Sequence, residues 1–129
     1  MALKYSRQRE SIKKYLANTT DHPTADMIYS SIRTEYPNIS LGTIYRNLNL
    51  LVEQGEVIKF ATGDGKDRFD ANTSSHYHFV CTECSNVSDV FMSPEFISMV
   101  NDSARAEIDG EILGHSTLFF GKCIKCKNT

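Results

Sequence analysis

Residues 70–89 read DANTSSHYHFVCTECSNVSD and place two histidines, two cysteines and two flanking aspartates within twenty positions. His76 and His78 are separated by a single residue, so in an extended strand both imidazoles point to the same face. A CxxC pair, Cys81 and Cys84, begins three residues after His78. The stretch therefore predicts a strand at the centre of a metal-binding C-terminal half.

The composition is that of a globular protein, with 129 residues of which 40% are hydrophobic and 23% charged. We expect one compact domain or two small ones, and each half alone is near the lower size limit for a self-sufficient core. No apolar run approaches the roughly 20 residues that span a bilayer. The N-terminal MALKYSRQRE has no apolar stretch of a signal peptide. These features predict a cytoplasmic protein with no membrane partner.

The net charge of −2 does not by itself indicate a nucleic-acid-binding protein. Residues 1–70 contain ten Lys or Arg against nine Asp or Glu, which gives +1. Residues 71–129 contain four against seven, which gives −3. Any DNA binding must therefore depend on where a few basic and polar side chains are placed.

Three helical patterns fill the first half of the chain. Each begins at a residue whose hydroxyl can accept a hydrogen bond from the first turn: Ser6, Thr24 and Ser40. We expect the first helix to end near Asn18 and the second at Tyr36-Pro37, because the residue before a proline disfavours helical backbone. The third is expected to end at Gly55, since glycine readily adopts the positive φ of a helix C-terminus.

Two strands at 57–61 and 67–70 are expected to follow, joined by a glycine-rich turn at 62–65. Three short helices and a hairpin are the layout of a winged helix-turn-helix domain, whose third helix enters the DNA major groove. An ordinary helical domain with a solvated polar face is the alternative. The polar face of the third helix offers Thr43, Tyr45, Arg46, Asn47 and Asn49, which can reach base edges and phosphates. Lys59, Lys66 and Arg68 would lie on or beside the wing, and of these we expect Lys59 and Lys66 to contact DNA.

The second half predicts an α/β unit. We expect strands at 78–81, 87–91 and 116–122 and a helix near 94–106. Several large apolar side chains in so short a segment suit either a dimer interface or a plain core. The two halves together predict an α+β fold.

The four cysteines form two CxxC pairs, Cys81 with Cys84 and Cys123 with Cys126. Two such pairs match a tetrahedral structural zinc site, for which the two ends of this half must meet in space. A four-thiolate iron centre is chemically possible. Such centres usually carry glycine after the second cysteine of each pair, whereas Ser85 and Lys127 stand here.

The other candidate ligands are His22, Asp70, His76, His78, Asp89 and His115. A mixed set of imidazoles and carboxylates suits Fe(II), Mn(II) or zinc. Asp70 at the end of the wing and Asp89 one strand after the histidines can converge on them. The alternatives are a loop or cap role for His22, a turn-capping role for Asp70 and a surface position for His115.

Five segments resemble the ferric uptake regulator (Fur) family of bacterial metalloregulators, in the family's order along nearly the whole chain. They are HPTADMIY (22–29), SLGTIYRNLNLL (40–51), RFD (68–70), HYHFVCTEC (76–84) and the terminal CxxC. The resemblance implies a winged-helix DNA-binding domain (1–71), a hinge (72–75) and a dimerisation domain (76–129). It also implies structural Zn²⁺ on the four cysteines, a regulatory metal at the hinge, and a homodimeric repressor of a palindromic DNA operator.

Within the family, the chain is most similar to the peroxide-sensing branch, PerR, whose regulatory site has three histidines and two aspartates. All five positions match: His22, Asp70, His76, His78 and Asp89. Iron-sensing members usually carry glutamate at the position of Asp70. Tyr77 stands where many members have a further aspartate, which weakens the family's additional metal site although His115 matches one of its ligands.

The branch implies Fe²⁺ or Mn²⁺ in this site, no small organic substrate and no enzymatic activity. Bound Fe²⁺ reacts with hydrogen peroxide and a ligand histidine, His22 or His76, is oxidised, after which the metal and the DNA are released. Mn²⁺ supports repression without this reaction. Family members usually have a further helix before the match to SRQRESIKKYL, so we expect a different DNA affinity or operator preference here.

Three other functions compete with this interpretation. An iron- or zinc-uptake regulator of the same fold would respond to metal supply and leave its histidines unmodified. A metallohydrolase using His76, His78 and Asp70 would need an open coordination position, and its common HxHxDH motif is interrupted by Val80 and Cys81. A thiol-disulfide enzyme would use one CxxC pair.

Overall fold

The computed structural model describes residues 5–128, which form two compact units, one ending at Ser74 and the other beginning at Ser75. The first four residues of the segment considered as a signal peptide lie outside the described range. Within that range, no helix is long and apolar enough to cross a membrane.

The first unit is a winged helix, as the sequence predicts. Its elements are α1 (Arg7–Ala17), α2 (Ala25–Ile32), α3 (Leu41–Glu53), β1 (Ile58–Ala61) and β2 (Asp67–Asp70). Each helix has the predicted cap, because the side chains of Ser6, Thr24 and Ser40 accept hydrogen bonds from the backbone of the third helical residue. Strands β1 and β2 pair antiparallel and form the wing.

The ends of the helices differ in how well the sequence predicts them. Helix α3 ends in a Schellman motif, in which Gly55 has φ 73° and the amide of Glu56 donates to the carbonyl of Leu51 at 3.0 Å. Helix α2 ends at Ile32, earlier than the predicted stop at Tyr36-Pro37. The intervening residues form a turn, in which the amide of Glu35 donates to the carbonyl of Ile32 at 3.0 Å.

The core of the first unit lies between the three helices and the wing. Ile12, Ile28, Ile44 and Leu48 are fully buried, and Phe69 of β2 is 2% exposed. Burial of each such side chain contributes about 1.5–3 kcal/mol, so the apolar stripes of the helices account for most of the stability of this unit. The same packing fixes the loop between α1 and α2 beside β2.

The second unit is a three-stranded sheet with one helix. Its elements are β3 (Tyr77–Cys81), β4 (Val87–Val90), α4 (Pro94–Arg105) and β5 (Leu118–Gly121). The strand order is β4-β3-β5, with β3 antiparallel to β4 and parallel to β5. The central position of β3 places His78 and Cys81 between the two other strands, with His76 directly before β3 and Cys84 in the turn after it.

Much of the apolar surface of the second unit is exposed. Helix α4 has no buried residue among those the structure describes, although it begins with a well-formed cap at Ser93. Eight large apolar side chains of this unit are at least 40% exposed: Phe91, Phe96, Met99, Ile108, Leu113, Phe119, Phe120 and Ile124. A single chain therefore leaves a large apolar area in water, which is typical of an interaction surface.

Candidate metal centres

The two CxxC pairs come together in the second unit. All four sulfur atoms lie within 4.8 Å of one another, and the sulfurs of Cys84 and Cys123 are 3.8 Å apart. Sulfurs of a tetrahedral site with Zn–S bonds of about 2.3 Å are separated by about 3.8 Å. A disulfide needs a sulfur–sulfur distance of about 2 Å, and none of these four cysteines, all within the described range, forms one. The cluster therefore fits a structural zinc ion.

Strand pairing brings the two knuckles together. The parallel register sets Cys81 opposite Gly121, two residues before Cys123, and the amide of Thr82 donates to the carbonyl of Gly121 at 2.8 Å. Ser85 adopts φ 65° directly after Cys84, and its amide donates to the carbonyl of Cys81 at 2.9 Å. The first knuckle therefore makes the tight turn often made with glycine by using a serine.

The electrostatics of the cluster favour a bound cation. Backbone amides of Cys123 and Cys84 donate to the sulfur of Cys81 at 3.4 and 3.5 Å, and they lower the pKa of Cys81 to about 6. Side-chain hydrogen bonds with Cys123 and Cys81 raise the pKa of Cys126 to about 12, because they favour its protonated thiol. A divalent cation stabilises thiolates, so all four sulfurs can be deprotonated when it is bound.

The first unit holds a paired histidine and carboxylate. His22 Nε2 lies 3.3 Å from Asp70 Oδ2, and the two side chains are 3% and 10% exposed. The Phe60 ring meets the imidazole edge-on, with the centroids 5.9 Å apart. Asp70 also caps its turn, because its Oδ1 accepts a hydrogen bond from the amide of Asn72 at 2.9 Å. The two roles considered for Asp70 are thus compatible.

The second unit holds two histidines around one carboxylate. Asp89 Oδ1 lies 3.0 Å from His76 Nε2 and 3.5 Å from His78 Nε2. The antiparallel register sets His78 directly opposite Asp89, and the two imidazole centroids are 4.6 Å apart. Both rings are on one face of β3, as the HxH spacing predicts. This nitrogen and oxygen donor set suits Fe(II), Mn(II) or zinc.

Phe91 packs against His76, a contact that the sequence does not predict by itself. The His76 side chain is fully buried, and the ring of Phe91 stacks on its imidazole with a centroid distance of 5.3 Å. Phe91 lies two residues after Asp89, so period-two alternation puts both on the same side of the chain. The two-residue spacing between Asp89 and Phe91 is the feature of the sequence that could predict this contact.

His115 is engaged by other groups. Its Nε2 is hydrogen-bonded to the hydroxyl of Tyr77, and its Nδ1 lies 2.7 Å from Asn101 Oδ1. A metal ion at this position would have to displace one of these partners. Both ring nitrogens of His115 therefore have hydrogen-bond partners within the second unit.

The candidate DNA-contacting residues divide into exposed and buried groups. Tyr45, Arg46, Asn49, Lys59 and Lys66 are exposed, and Thr43 is half-buried. Asn47 is 7% exposed, and its amide donates to the carbonyl of Thr43 at 3.1 Å. Arg68 is 8% exposed and donates to the carbonyl of His22 at 3.2 Å. Asn47 and Arg68 are therefore internal to the winged helix and absent from its exposed face.

Comparison with known proteins agrees with this architecture. The sequence profile of the ferric uptake regulator family matches residues 1–115. The peroxide-responsive repressor PerR of Staphylococcus epidermidis is 38% identical over 120 residues, covering 93% of this chain and 79% of the relative. PerR of Staphylococcus aureus strain Mu50 is 35% identical and covers 98% of this chain and 84% of its own.

Two solved structures are similar in fold and sequence. The Helicobacter pylori ferric uptake regulator Fur, described with three functional metal binding sites, superposes with a TM-score of 0.83 at 26% identity, covering 98% of this chain and 84% of that chain. The Campylobacter jejuni peroxide stress regulator superposes with a TM-score of 0.78 at 32% identity, covering 92% of this chain and 88% of that chain. Through its winged helix, its four-cysteine cluster and these matches, the chain belongs to the ferric uptake regulator family.

Proposed function

We propose that the chain is a metal-dependent, peroxide-responsive transcriptional repressor that acts in the cytoplasm as a homodimer on a palindromic DNA operator, and that it is not an enzyme. The observation that carries the proposal is the set of five buried or half-buried ligands, two in the first unit and three in the second. In each unit the ligand histidines lie within 3.5 Å of an aspartate carboxylate. The peroxide-responsive repressors of two staphylococci are its relatives at 35–38% identity.

Two kinds of metal site are proposed. The four cysteines would hold structural Zn²⁺, which ties the end of the chain to β3. His22, Asp70, His76, His78 and Asp89 would hold one regulatory Fe²⁺ or Mn²⁺, with ligands from both sides of a hinge at 72–75. Metal binding would then fix the orientation of the DNA-binding domain (1–71) relative to the dimerisation domain (76–129), and metal loss would release it.

The response to peroxide depends on the ligand histidines. Bound Fe²⁺ would supply the reducing equivalents that activate hydrogen peroxide, whereas Mn²⁺ would not. His22 and His76 are the expected oxidation targets, and both imidazoles are almost completely buried against a carboxylate. An oxidised imidazole is a poor ligand, so loss of one histidine lowers the affinity of the whole site for metal.

The proposed DNA surface is the exposed face of α3 together with the wing. Tyr45 and Arg46 project from the helix and Lys59 and Lys66 from the wing, with Thr43 at the start of the helix. Their placement offers base-edge contacts from the helix and phosphate contacts from the wing. The cations outnumber the acids by only one in this half, so these few residues would account for most of the attraction to DNA.

The homodimer is supported by the exposed apolar side chains of the second unit. Helix α4 and the residues around β5 leave Phe96, Met99 and Phe120 in contact with water in a single chain. Burial of such a surface against a second copy would stabilise both chains. A two-fold dimer would also present two recognition helices to the two halves of a palindrome.

Metal-dependent DNA binding tests the proposal. Zinc-containing protein is incubated with a library of random duplexes at a series of Mn²⁺ concentrations, and the retained DNA is sequenced. We expect a palindromic sequence to be enriched only when Mn²⁺ is present, and not by the Asp89→Ala variant. Equal enrichment by wild type without Mn²⁺, or by Asp89→Ala with it, would contradict a regulatory role for this site.

A further inference from the structure

A buried arginine holds the backbone of a candidate metal ligand. The guanidinium of Arg68, in a residue 8% exposed, donates through Nη1 to the main-chain carbonyl of His22 at 3.2 Å. The two residues are 46 positions apart. The sequence places Arg68 on or beside the wing, and in the structure its side chain lies in the interior of the winged helix.

The backbone of His22 needs support from its surroundings. Its φ is 50°, in the left-handed region that residues other than glycine rarely adopt. Such a conformation persists where the neighbouring structure determines it. Pro23 follows directly and restricts the chain further, so few rotations can deliver the His22 imidazole to Asp70.

The loop that contains His22 is fixed along β2. The amide of Phe69 donates to the carbonyl of Pro23 at 3.0 Å, and Thr24 forms an antiparallel bridge with Arg68. Arg68 adds the third contact, to the carbonyl of His22. Residues 22–24 are therefore attached to the free edge of β2, opposite the edge that pairs with β1.

Arg68 and Asp70 act on His22 from the same strand. They are two residues apart on β2, so both side chains project from one face of the strand. Arg68 meets the carbonyl of His22 and Asp70 meets its imidazole, at 3.2 and 3.3 Å. One strand of the wing thus fixes both the backbone and the ring of this histidine.

We propose that Arg68 is a positioning residue for the regulatory metal, because it holds the left-handed backbone of His22 and so keeps His22 and Asp70 as a preformed ligand pair. This inference rests on the proposed function, in which both residues bind the metal. Without the guanidinium, the loop relaxes to other backbone conformations and the metal must order it again on binding. Metal affinity falls although every ligand is still present.

Mn²⁺ binding to the zinc-containing, full-length protein tests the proposal. The dissociation constant is measured from the electron paramagnetic resonance signal of free Mn²⁺. Arg68→Met keeps the length and packing of the side chain and removes its donors, and we expect it to weaken Mn²⁺ binding roughly tenfold. Arg68→Lys keeps the charge and one donor group. Its Mn²⁺ dissociation constant should lie between those of Arg68→Met and wild type.

Two further variants serve as controls. Lys14→Met removes a cation from an exposed position of α1 in the same unit, and it should bind Mn²⁺ like wild type. His22→Ala removes a ligand and should weaken binding more than Arg68→Met. DNA affinity is also measured at saturating Mn²⁺. Under this condition the Arg68 variants should bind DNA with the affinity of wild type, because excess metal restores the ordered loop.

The outcomes separate this inference from the proposed function. If His22→Ala weakens Mn²⁺ binding and neither Arg68 variant does, the role of Arg68 is wrong and the metal site stands. If His22→Ala also binds like wild type, the proposed site itself is wrong. An Arg68 variant with reduced DNA affinity at saturating Mn²⁺ would show a role in DNA contact or folding and overturn the positioning role. If Arg68→Met does not fold, the comparison of Arg68→Lys with wild type decides.

Discussion

At the scale of single residues, one carboxylate performs two tasks. Asp70 caps its own turn through Oδ1 and faces His22 through Oδ2, at 2.9 and 3.3 Å. The short aspartate side chain is suited to this, because the turn bond to Asn72 spans only two residues. A glutamate would place its carboxylate one methylene further from the backbone and could not make the same bond.

Asp70→Glu should therefore reduce peroxide sensitivity and keep metal-dependent DNA binding. The longer carboxylate still reaches a metal ion, but it shifts the ligand positions that the Asn72 bond fixes. The peroxide dose that releases half of the DNA is compared with wild type, and we expect it to rise severalfold. Asp64→Glu alters another turn-capping aspartate of the wing and should leave the dose unchanged. If Asp70→Glu releases DNA at the same peroxide dose as wild type, the role assigned to Asp70 is contradicted.

The cysteine cluster should titrate unevenly when zinc is absent. Amides that donate to the sulfur of Cys81 lower its pKa to about 6, so its thiolate persists above that pH and is lost as the pH falls through it. The thiol of Cys126, with a pKa raised to about 12, should ionise last. Ultraviolet absorbance of thiolate in metal-free protein measures the titration. A step near pH 6 that survives in Cys81→Ala would argue against this assignment.

At the scale of elements, local sequence signals predict the helices and strands well. They do not predict contacts between residues that are distant in sequence. The caps at Ser6, Thr24 and Ser40 and the stop at Gly55 are confirmed, because each depends on neighbouring residues. The burial of Arg68 depends on a loop 46 residues away and has no local signal.

Two features of the structure follow from residue spacings in the sequence. Asn47 follows Ile44 by three residues and precedes Leu51 by four, so the helical period places it on the buried stripe of α3. Phe91 follows Asp89 at strand spacing and stacks on His76. The polar character of Asn47 favours the exposed face, whereas its position in the helical period favours the buried one.

The hydroxyl of Tyr77 should stabilise the second unit by linking β3 to His115. Tyr77→Phe removes this hydrogen bond and leaves the ring in place, so we expect the free energy of unfolding to fall by about 0.5–1.5 kcal/mol. Mn²⁺ affinity should be unchanged, since His76 and His78 lie on the opposite face of the strand. Denaturant unfolding measures the loss, and the exposed Tyr45→Phe serves as a matched control. A large loss of Mn²⁺ affinity in Tyr77→Phe would contradict this separation.

At the scale of the whole molecule, two small units carry different tasks. The winged helix has its own apolar core, whereas the second unit exposes much of its apolar surface and has a cluster of four cysteines without a disulfide. A unit of this size depends on a metal ion or a partner for stability. Zinc and dimerisation should therefore support the same half of the chain.

Removal of zinc should accordingly disrupt the dimer. Prolonged chelation, or the variant Cys126→Ser, should yield monomer in size-exclusion chromatography with light scattering and expose thiols to a chromogenic reagent. Brief chelation that removes only Mn²⁺ should leave the dimer intact and abolish DNA binding. A zinc-free protein that remains a dimer would show that the cysteine cluster does not support the interface.

The central claim is that peroxide is sensed through the ligand histidines, and tandem mass spectrometry tests it most directly. Protein is loaded anaerobically with Fe²⁺ or Mn²⁺, given one brief pulse of hydrogen peroxide and digested with trypsin. His22 falls in the peptide 15–33 together with Met27, and His76 in 69–105 with Met92 and Met99, so fragment ions must locate the oxygen. We predict one added oxygen on His22 or His76 in the iron sample alone. Histidines unmodified in both samples would contradict the claim and indicate a regulator that senses metal supply.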